Sequence, residues 1–591
     1  MRRKWLKWST PALLATAVIL GGLPVQQTAS ALVDTTPPAS SAMTPGDVPT
    51  ETLSSFYVKL SWTAPADDGS VIGSGNAAKY DLRYSTSTLN ATNFWKAKEV
   101  PFVPIPGTPG STQWKTVSGL EPSTTYYFGL RTTDDAGNQS AISYLTVTTT
   151  AQSCAYTLPP GDTITRLHGT TGTSTTTVKY IGDMDGKVVC LQNTTRTEEL
   201  EFRDFVGDAD KPIKIVNIGG QFIINTSNAG YGMKFTGAEH IQLSGNGVPG
   251  LYGIKISAAG PALQLKSGST FYEINHVHIA SSNTVGMQLH SDLSCAAPGA
   301  ADDYSRTGFV QEETVVRDNL IENVGGEGIY LGNSHYDQVM QLQCNPAPAP
   351  KTNKLEHAVI GVRVYNNKTN NTGLDGIQVG GAPQDVKVYN NSVKFFATDN
   401  ERNQRTGIQI NPGTTGDVYN NYVTNGTGHG IMYLGRGDSS IFNNFVEASS
   451  DAGIYVDKKP DLTGTSAFTQ GNIYVMNNTI KDVGTFGIEM RNDVAPVSFM
   501  KNNFILMTGI GSLFNIYDNN GILIQTGNKD YYKNNAGGFD TISSNTMIPT
   551  SGPPYAIVNN GEDLSAYGVT FDFFYNPRPL SGGFDRGYLE T

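Results

Sequence analysis

Charge is scarce in this 591-residue sequence: Asp, Glu, Lys and Arg together make up 16%, and their balance is −11. Without a basic stripe no surface can neutralise a run of phosphates, so nucleic acid is excluded as a partner. Cysteine is scarce too. The four present, Cys154, Cys190, Cys295 and Cys344, fit no zinc-binding spacing. Two disulfides in an oxidising compartment are expected instead. Apolar runs are missing beyond a single one, Ala12 to Leu23, which follows Arg2, Arg3, Lys4 and Lys7 and precedes Ala29-Ser30-Ala31. That order is the pattern of a secretory signal peptide, expected to span 1–31 with cleavage before Leu32. No second run has membrane length, so the exported protein is expected to be secreted or extracellular, with no membrane insertion after cleavage.

What is present begins with a segment rich in Thr, Ser, Tyr and Val, from about Asp34 to Thr150. Short alternating runs such as YVKLSW and YDLRYS, separated by turn signals, read as an all-β sandwich. The DTTPP entry, Trp62, Tyr80, Tyr84 and the segment LEPSTTYYFGLRTTDDAGNQS resemble the fibronectin type III family. The resemblance implies that Leu120, Pro122 and Tyr126 form a corner in which a phenol hydroxyl ties a loop to a strand edge. Bacterial modules of this kind act as spacers or adhesive appendages, and Trp95 and Trp114 are read as packing residues rather than a sugar site.

The remainder carries a loose internal repeat. Asparagine pairs recur in VYNNKT, VYNNSV, VYNNYV, IFNNFV, VMNNTI and MKNNFI, from Asn366-Asn367 to Asn502-Asn503. They alternate with a glycine that opens a short strand: GEGIYLG, LDGIQVG, RTGIQI, GHGIMYLG, DAGIYV and TFGIEM. Neighbouring anchors lie about 23 to 48 residues apart, and the shorter spacing matches one coil of a parallel β-helix. Inward Ile, Val and Leu would then stack into one core. Asparagine tolerates the left-handed turn between strands, and stacked amides can bond along a ladder. Both asparagines are therefore expected to be structural.

With KPIKIVNIGG, YGMKFTGAEHIQLSG and NLIENVGGEGIYLGNS, these segments resemble the secreted right-handed β-helix proteins of the pectate-lyase-like superfamily, across about 400 residues. The closing NPRPLSGGFDRGYLE resembles a terminal motif of surface-associated members, from which Arg586 and Leu589 depart. The expected fold class is all-β: a fibronectin type III-like β-sandwich followed by a right-handed parallel β-helix. The expected boundaries are 32–150 for the sandwich with a short N-terminal linker, 151–160 for a linker, 161–510 for the β-helix and 511–591 for final coils and cap. Cys154 and Cys190 are expected to staple the start of the helix. Cys295 and Cys344 both follow glycine-anchored strands, and loops leaving the same corner of neighbouring coils would let them pair.

Aligning the glycines puts Glu327, Asp375, Thr406, His429, Ala452 and Phe486 in equivalent positions, one per coil. Carboxylates one rung apart share a proton, bind a cation or divide acid and base roles. Glu327, Asp375 and His429 are thus the candidate catalytic residues, against the alternative that such turn positions are polar for backbone bonding. The outward positions carry Tyr330, Gln378, Gln409, Tyr455 and Glu489, followed by Asp457 and Arg491. With Arg436 they form a candidate groove for a sugar chain, the arginines neutralising a uronate carboxylate. GHGIMYLG resembles a polygalacturonase segment, but Gln378 and Gln409 stand where further aspartates are wanted, so that hydrolysis is not expected. GDMDG and GDADK lack the spacing of a calcium loop, and calcium enters only through the superfamily resemblance. That resemblance implies an extracellular polysaccharide as partner, with three functions open. They are polysaccharide binding with lyase action on an acidic glycan, a non-catalytic surface or matrix role, and hydrolysis or epimerisation. The oligomeric state is not encoded.

Overall fold

The computed structural model describes residues 34–46, 53–71, 73–226, 230–250, 252–345, 350–457, 471–491, 498–507, 562–579 and 584–585, with strands alone described between 508 and 561. The expected leader, 1–31, lies outside the described residues.

The first domain packs two antiparallel sheets. One pairs Thr44–Pro45, Val58–Thr63 and Thr112–Val117, and the other runs Lys98–Glu99, Lys79–Ser85, Thr125–Thr133, Ser143–Thr148. Alternation sends Leu60, Trp62, Leu82, Tyr84, Phe128 and Leu130 into a shared core. The Tyr126 hydroxyl accepts the Glu121 backbone N–H at 2.8 Å, as a tyrosine corner requires. Trp95 and Trp114, read as packing residues, are 39% and 40% exposed. Each carries a cation instead: Arg131 lies 4.4 Å over Trp95 and Lys59 lies 4.6 Å over Trp114.

The second domain is a parallel solenoid. One face is a sheet of 13 strands, and the remaining strands form a continuous parallel ladder that closes the coil. Ile329–Gly332, Ala358–Tyr365 and Lys368–Thr372 complete one coil, and Ile377–Gly380 opens the next. Ile329, Ile377, Ile408, Ile431, Ile454 and Ile488 stand in register and are fully buried. The glycine before each isoleucine is imposed by close approach. A Cβ on Gly407 would lie 2.6 Å from the Gly430 carbonyl oxygen and 2.4 Å from Val423.

The asparagine pairs divide their labour. The first residue takes the left-handed turn, with φ of 55° at Asn366 and Asn390 and 54° at Asn420. The second turns inward, and Asn319, Asn367, Asn391, Asn421, Asn444, Asn478 and Asn503 form an unbroken buried ladder. In each step an Nδ2–H donates to the next Oδ1 at 2.9–3.1 Å.

The rod begins earlier than residue 161: Tyr156–Leu158, inside the expected linker, already pairs in parallel with Val189–Leu191. The Cys154–Cys190 disulfide holds that first rung. At the other end, strands from Phe514 to Tyr532 continue the ladder, and residues 562–579, with Asp585, lie along the flank as a strap. The first asparagines of the pairs receive it: Asn502 bonds Glu562, Asn443 bonds the Phe571 carbonyl, Asn420 the Phe573 carbonyl, Asn390 the Tyr575 hydroxyl and Asn477 the Asp585 carbonyl. Arg578 of the NPRP sequence is buried under it, donating to the Phe571 and Asp585 carbonyls. The sandwich sits on the same ladder face, joined by Glu121 to Asn246 at 2.6 Å, Lys59 to Asp210 at 3.3 Å and Glu99 to Lys387 at 3.1 Å.

Candidate functional site

The glycine-anchored column is in register on the 13-stranded sheet. The Gly328 N–H donates to the Asp375 carbonyl at 2.9 Å, that of Gly376 to Thr406 at 3.0 Å and that of Gly430 to Ala452 at 3.0 Å, while Thr406 pairs with His429. Glu327 and Asp375 are therefore next neighbours. Both are buried, Asp375 completely. The Asp375 Oδ1 accepts the Thr406 N–H at 2.8 Å, and its Oδ2 has no hydrogen-bond partner. Glu327 Oε1 accepts from the Gln404 amide at 3.1 Å. Burial raises the Glu327 carboxyl above the usual range. Burial, then the adjacent Glu327, raises Asp375 much further. Asp375 thus holds its proton more tightly than an ordinary carboxyl and lies beside a second carboxyl, the kind of arrangement that separates acid and base roles.

His429 stands two rungs beyond Asp375, about 10 Å at the inter-strand spacing, with Thr406 between them. It belongs to a different group. Its Nδ1 accepts the Ala452 N–H at 3.3 Å, its Nε2 lies 4.0 Å from Asp451, and its ring stacks on Tyr455 at 4.5 Å. Arg405 closes the group with a 2.6 Å ion pair to Asp451. Burial outweighs Asp451 and pushes the imidazole down to about 4. The neutral ring spends its one lone pair on the Ala452 N–H, so its proton sits on Nε2.

The outward row runs Gln288, Tyr330, Gln378, Gln409, Met432, Tyr455, Glu489, one residue per rung. Its middle is roofed. Ser334, just past the strand end at Gly332, gathers the Tyr330 hydroxyl at 3.1 Å, the Gln378 amide at 2.6 Å and the Asn411 amide at 3.1 Å. Gln378 is fully buried as a result and Gln409 nearly so. Farther along, Tyr455 donates to Asp457 at 2.7 Å, and Arg491 donates to Glu489 at 2.7 Å while lying 5.8 Å over the Tyr455 ring. Arg436 points back to the roof, 3.5 Å from Asp337 and 5.4 Å from the Tyr336 ring. The expected sugar-contacting residues therefore fall into a covered group at Ser334 and a more open group around Tyr455.

A wall beside the row comes from two insertions, 290–309 and 333–357. They are joined by the Cys295–Cys344 disulfide and by a buried Lys354–Asp303 ion pair at 2.9 Å. The wall adds groups that the repeat does not mark. His290 lies 4.9 Å from the Tyr330 ring and 3.2 Å from Asp292, which also pairs with Lys266 at 2.6 Å. Burial and the nearby Asp292 push Glu356 up to about 7. Arg405 and Asp451 were also not singled out. They are register-equivalent residues of opposite charge, two rungs apart, with Gly428 between them, a signal legible in the aligned repeat.

The acidic turns offer no cation site beside the row. In GDMDG the Asp183 side chain takes the Asp185 N–H at 2.9 Å, and in GDADK Asp210 is paired with Lys59. Among the described residues, one group of three carboxylates converges, Asp34, Asp67 and Asp135, and it lies in the sandwich.

No curated protein matches the chain. Among solved structures, it resembles a family 28 exopolygalacturonase from Yersinia enterocolitica, at 10% identity over 84% of this chain and 99% of that one, with a TM-score of 0.26. It also resembles the A-module of a mannuronan C-5 epimerase from Azotobacter vinelandii, at 13% identity over 58% of this chain and 90% of that one, TM-score 0.26. A family 6 polysaccharide lyase from Pseudopedobacter saltans shares 12% identity over 59% of this chain and 89% of that one, TM-score 0.23. At such scores no residue of one chain can be placed on a residue of another. Residues 356–547 match the family model of the right handed beta helix region, which agrees with the parallel coils found there.

Proposed function

We propose that the chain is a secreted protein that binds an acidic extracellular polysaccharide along the outward row and acts on it through the Glu327–Asp375 pair. One observation carries the reading. Other buried carboxylates of the rod are ion-paired, Glu201 with Arg166 and Arg203, Asp303 with Lys354 and Glu489 with Arg491. Among the described residues, Glu327 and Asp375 take only neutral donors, from Gln404 and Thr406. Keeping two carboxyls buried together without a cation costs stability, and such perturbed pairs concentrate at functional sites.

For an acidic glycan the chemistry that fits is β-elimination. A cation neutralises the uronate carboxylate, a base takes the proton at C5, and an acid protonates the departing glycosidic oxygen. Glu327, once ionised, is the base and protonated Asp375 the acid. Arg405 and Arg491 flank the open end of the row. His429 holds its proton toward Asp451 and serves to position Tyr455. The disulfides support an oxidising, extracellular location, and the N-terminal sandwich serves as a fibronectin type III-like spacer.

The test is a screen of uronate-containing polysaccharides for the ultraviolet absorbance of an unsaturated product, repeated with Glu327→Gln and Asp375→Asn. Turnover that both variants abolish is the expected result. No product from any polymer overturns the lyase reading.

A second reading is favoured by the complete burial of Asp375 and Gln378. A sealed pair and a roofed row suit a rigid, non-catalytic matrix protein whose contact surface is limited to the Tyr455 group. Binding on a glycan array that Tyr455→Ala removes, without turnover, selects it.

A further inference from the structure

In the sandwich, three chain segments present carboxylates to one point: Asp34 comes from the entry segment, Asp67 from the loop after Val58–Thr63, and Asp135 from the loop after Thr125–Thr133. One carboxylate oxygen of each lies within 4.8 Å of the other two. Two oxygens held about 2.4 Å from a common ion can be at most about 4.8 Å apart, so this convergence fits one calcium-sized sphere.

The segments are already pinned. Pro38 bridges Gly69, Ala66 bridges Asn76 and Thr133 bridges Gln139. Asn138 donates to the Asp34 carbonyl at 3.2 Å and, through its backbone and side chain, to both oxygens of Asp134 at 2.6 and 2.9 Å. Asp134 is thereby used in shaping the loop, which leaves Asp34, Asp67 and Asp135 facing each other.

An independent observation points to a missing ligand. Asp67 is 8% exposed, and its Oδ1 is buried with no hydrogen-bond partner. A buried carboxylate oxygen without a donor is costly. The charged groups around Asp67 are again carboxylates, Asp135, Asp134 and Asp34. Nothing in this set is nitrogen or sulfur, so the matching ion is a hard one.

We propose that Asp34, Asp67 and Asp135 bind a calcium ion that ties the entry segment to two loops of the sandwich. Calcium suits the site better than magnesium because carboxylates from three separate segments give an irregular, oxygen-rich shell rather than a near-ideal octahedron. The ion locks the first domain and stands apart from the chemistry of the rod.

The experiment is calcium titration of the metal-free full-length protein by calorimetry, with magnesium as control and Asp67→Asn and Asp135→Asn as variants, alongside thermal unfolding in chelator and in calcium. Wild type is expected to bind one calcium in the sandwich, with magnesium weaker, and each variant to lose at least tenfold in affinity. The stability signs are specific. In chelator the variants melt above wild type, because a repelling charge is gone, and in calcium they melt below it. A merely structural aspartate would lower the melting temperature in both. Asp135 is exposed, so its variant folds even where that of Asp67 does not. Absence of saturable calcium binding, equal magnesium binding, or calcium affinity unchanged in Asp135→Asn overturns the proposal.

Discussion

Asp375 and His429 are shifted in opposite senses by one cause, burial of a group that carries charge in its ionised form. The consequences for stability also run in opposite directions. Asp375 is raised above its unfolded carboxyl, which titrates near 4, so its contribution is complete below about pH 4 and erodes as pH rises. Asp375→Asn has no such loss, and its stability relative to wild type should improve steadily from pH 4 to pH 7 in urea titrations. His429 is held down to about 4 when folded and titrates near 6.5 when unfolded. Its contribution is complete above pH 6.5 and is lost as pH falls toward 4. His429→Gln should flatten that acid limb, read as the melting temperature across the interval. The positions of both residues were legible from the aligned glycines. Part of what surrounds them was not: Gln404 reaches Glu327 across two rungs, and only the folded register makes them neighbours.

The coil explains the asparagine pairs, and its two halves make different predictions. Asn421 donates to the Val388 carbonyl at 2.9 Å and to Asn444 at 3.0 Å, and accepts from Asn391 at 3.0 Å. Asn421→Ala should cost about 3 kcal/mol in chemical denaturation, since it leaves several buried groups unpaired. Asn420 takes the left-handed turn and bonds the strap at the Phe573 carbonyl, 3.4 Å away, and at Tyr575. Asn420→Gly should therefore cost less than about 1 kcal/mol, glycine meeting the same backbone demand. This division between turn and ladder could be read from the chain, because each coil repeats the same pair at the same place. The wall beside the row could not. Its strands Val339–Leu342 and Thr352–Leu355 pair only with each other, inside insertions that obey no repeat, and the Cys295–Cys344 pairing was the single part of it that sequence position announced. Replacing both cysteines with serine should remove up to about 4 kcal/mol from that wall, for a closure of 49 residues. Limited proteolysis should then cut within 290–309 or 333–357 while the coils remain intact.

For the whole molecule, a solenoid is in principle a one-dimensional stack in which each coil knows only its neighbours. Such a stack frays from its ends, one rung at a time. The sandwich and the strap both lie across the ladder face, and neither was visible as a docking element in the sequence, since their contacts join residues from 60 to 288 positions apart. The strap carries the larger consequence. It is bonded to coils from Asn390 to Asn502, so the last coils cannot open singly without also stripping the strap from the coils that remain. A peeling process becomes a concerted one: the terminal rungs share the fate of the middle of the rod, and the molecule melts over its final third as one unit rather than as a series of steps.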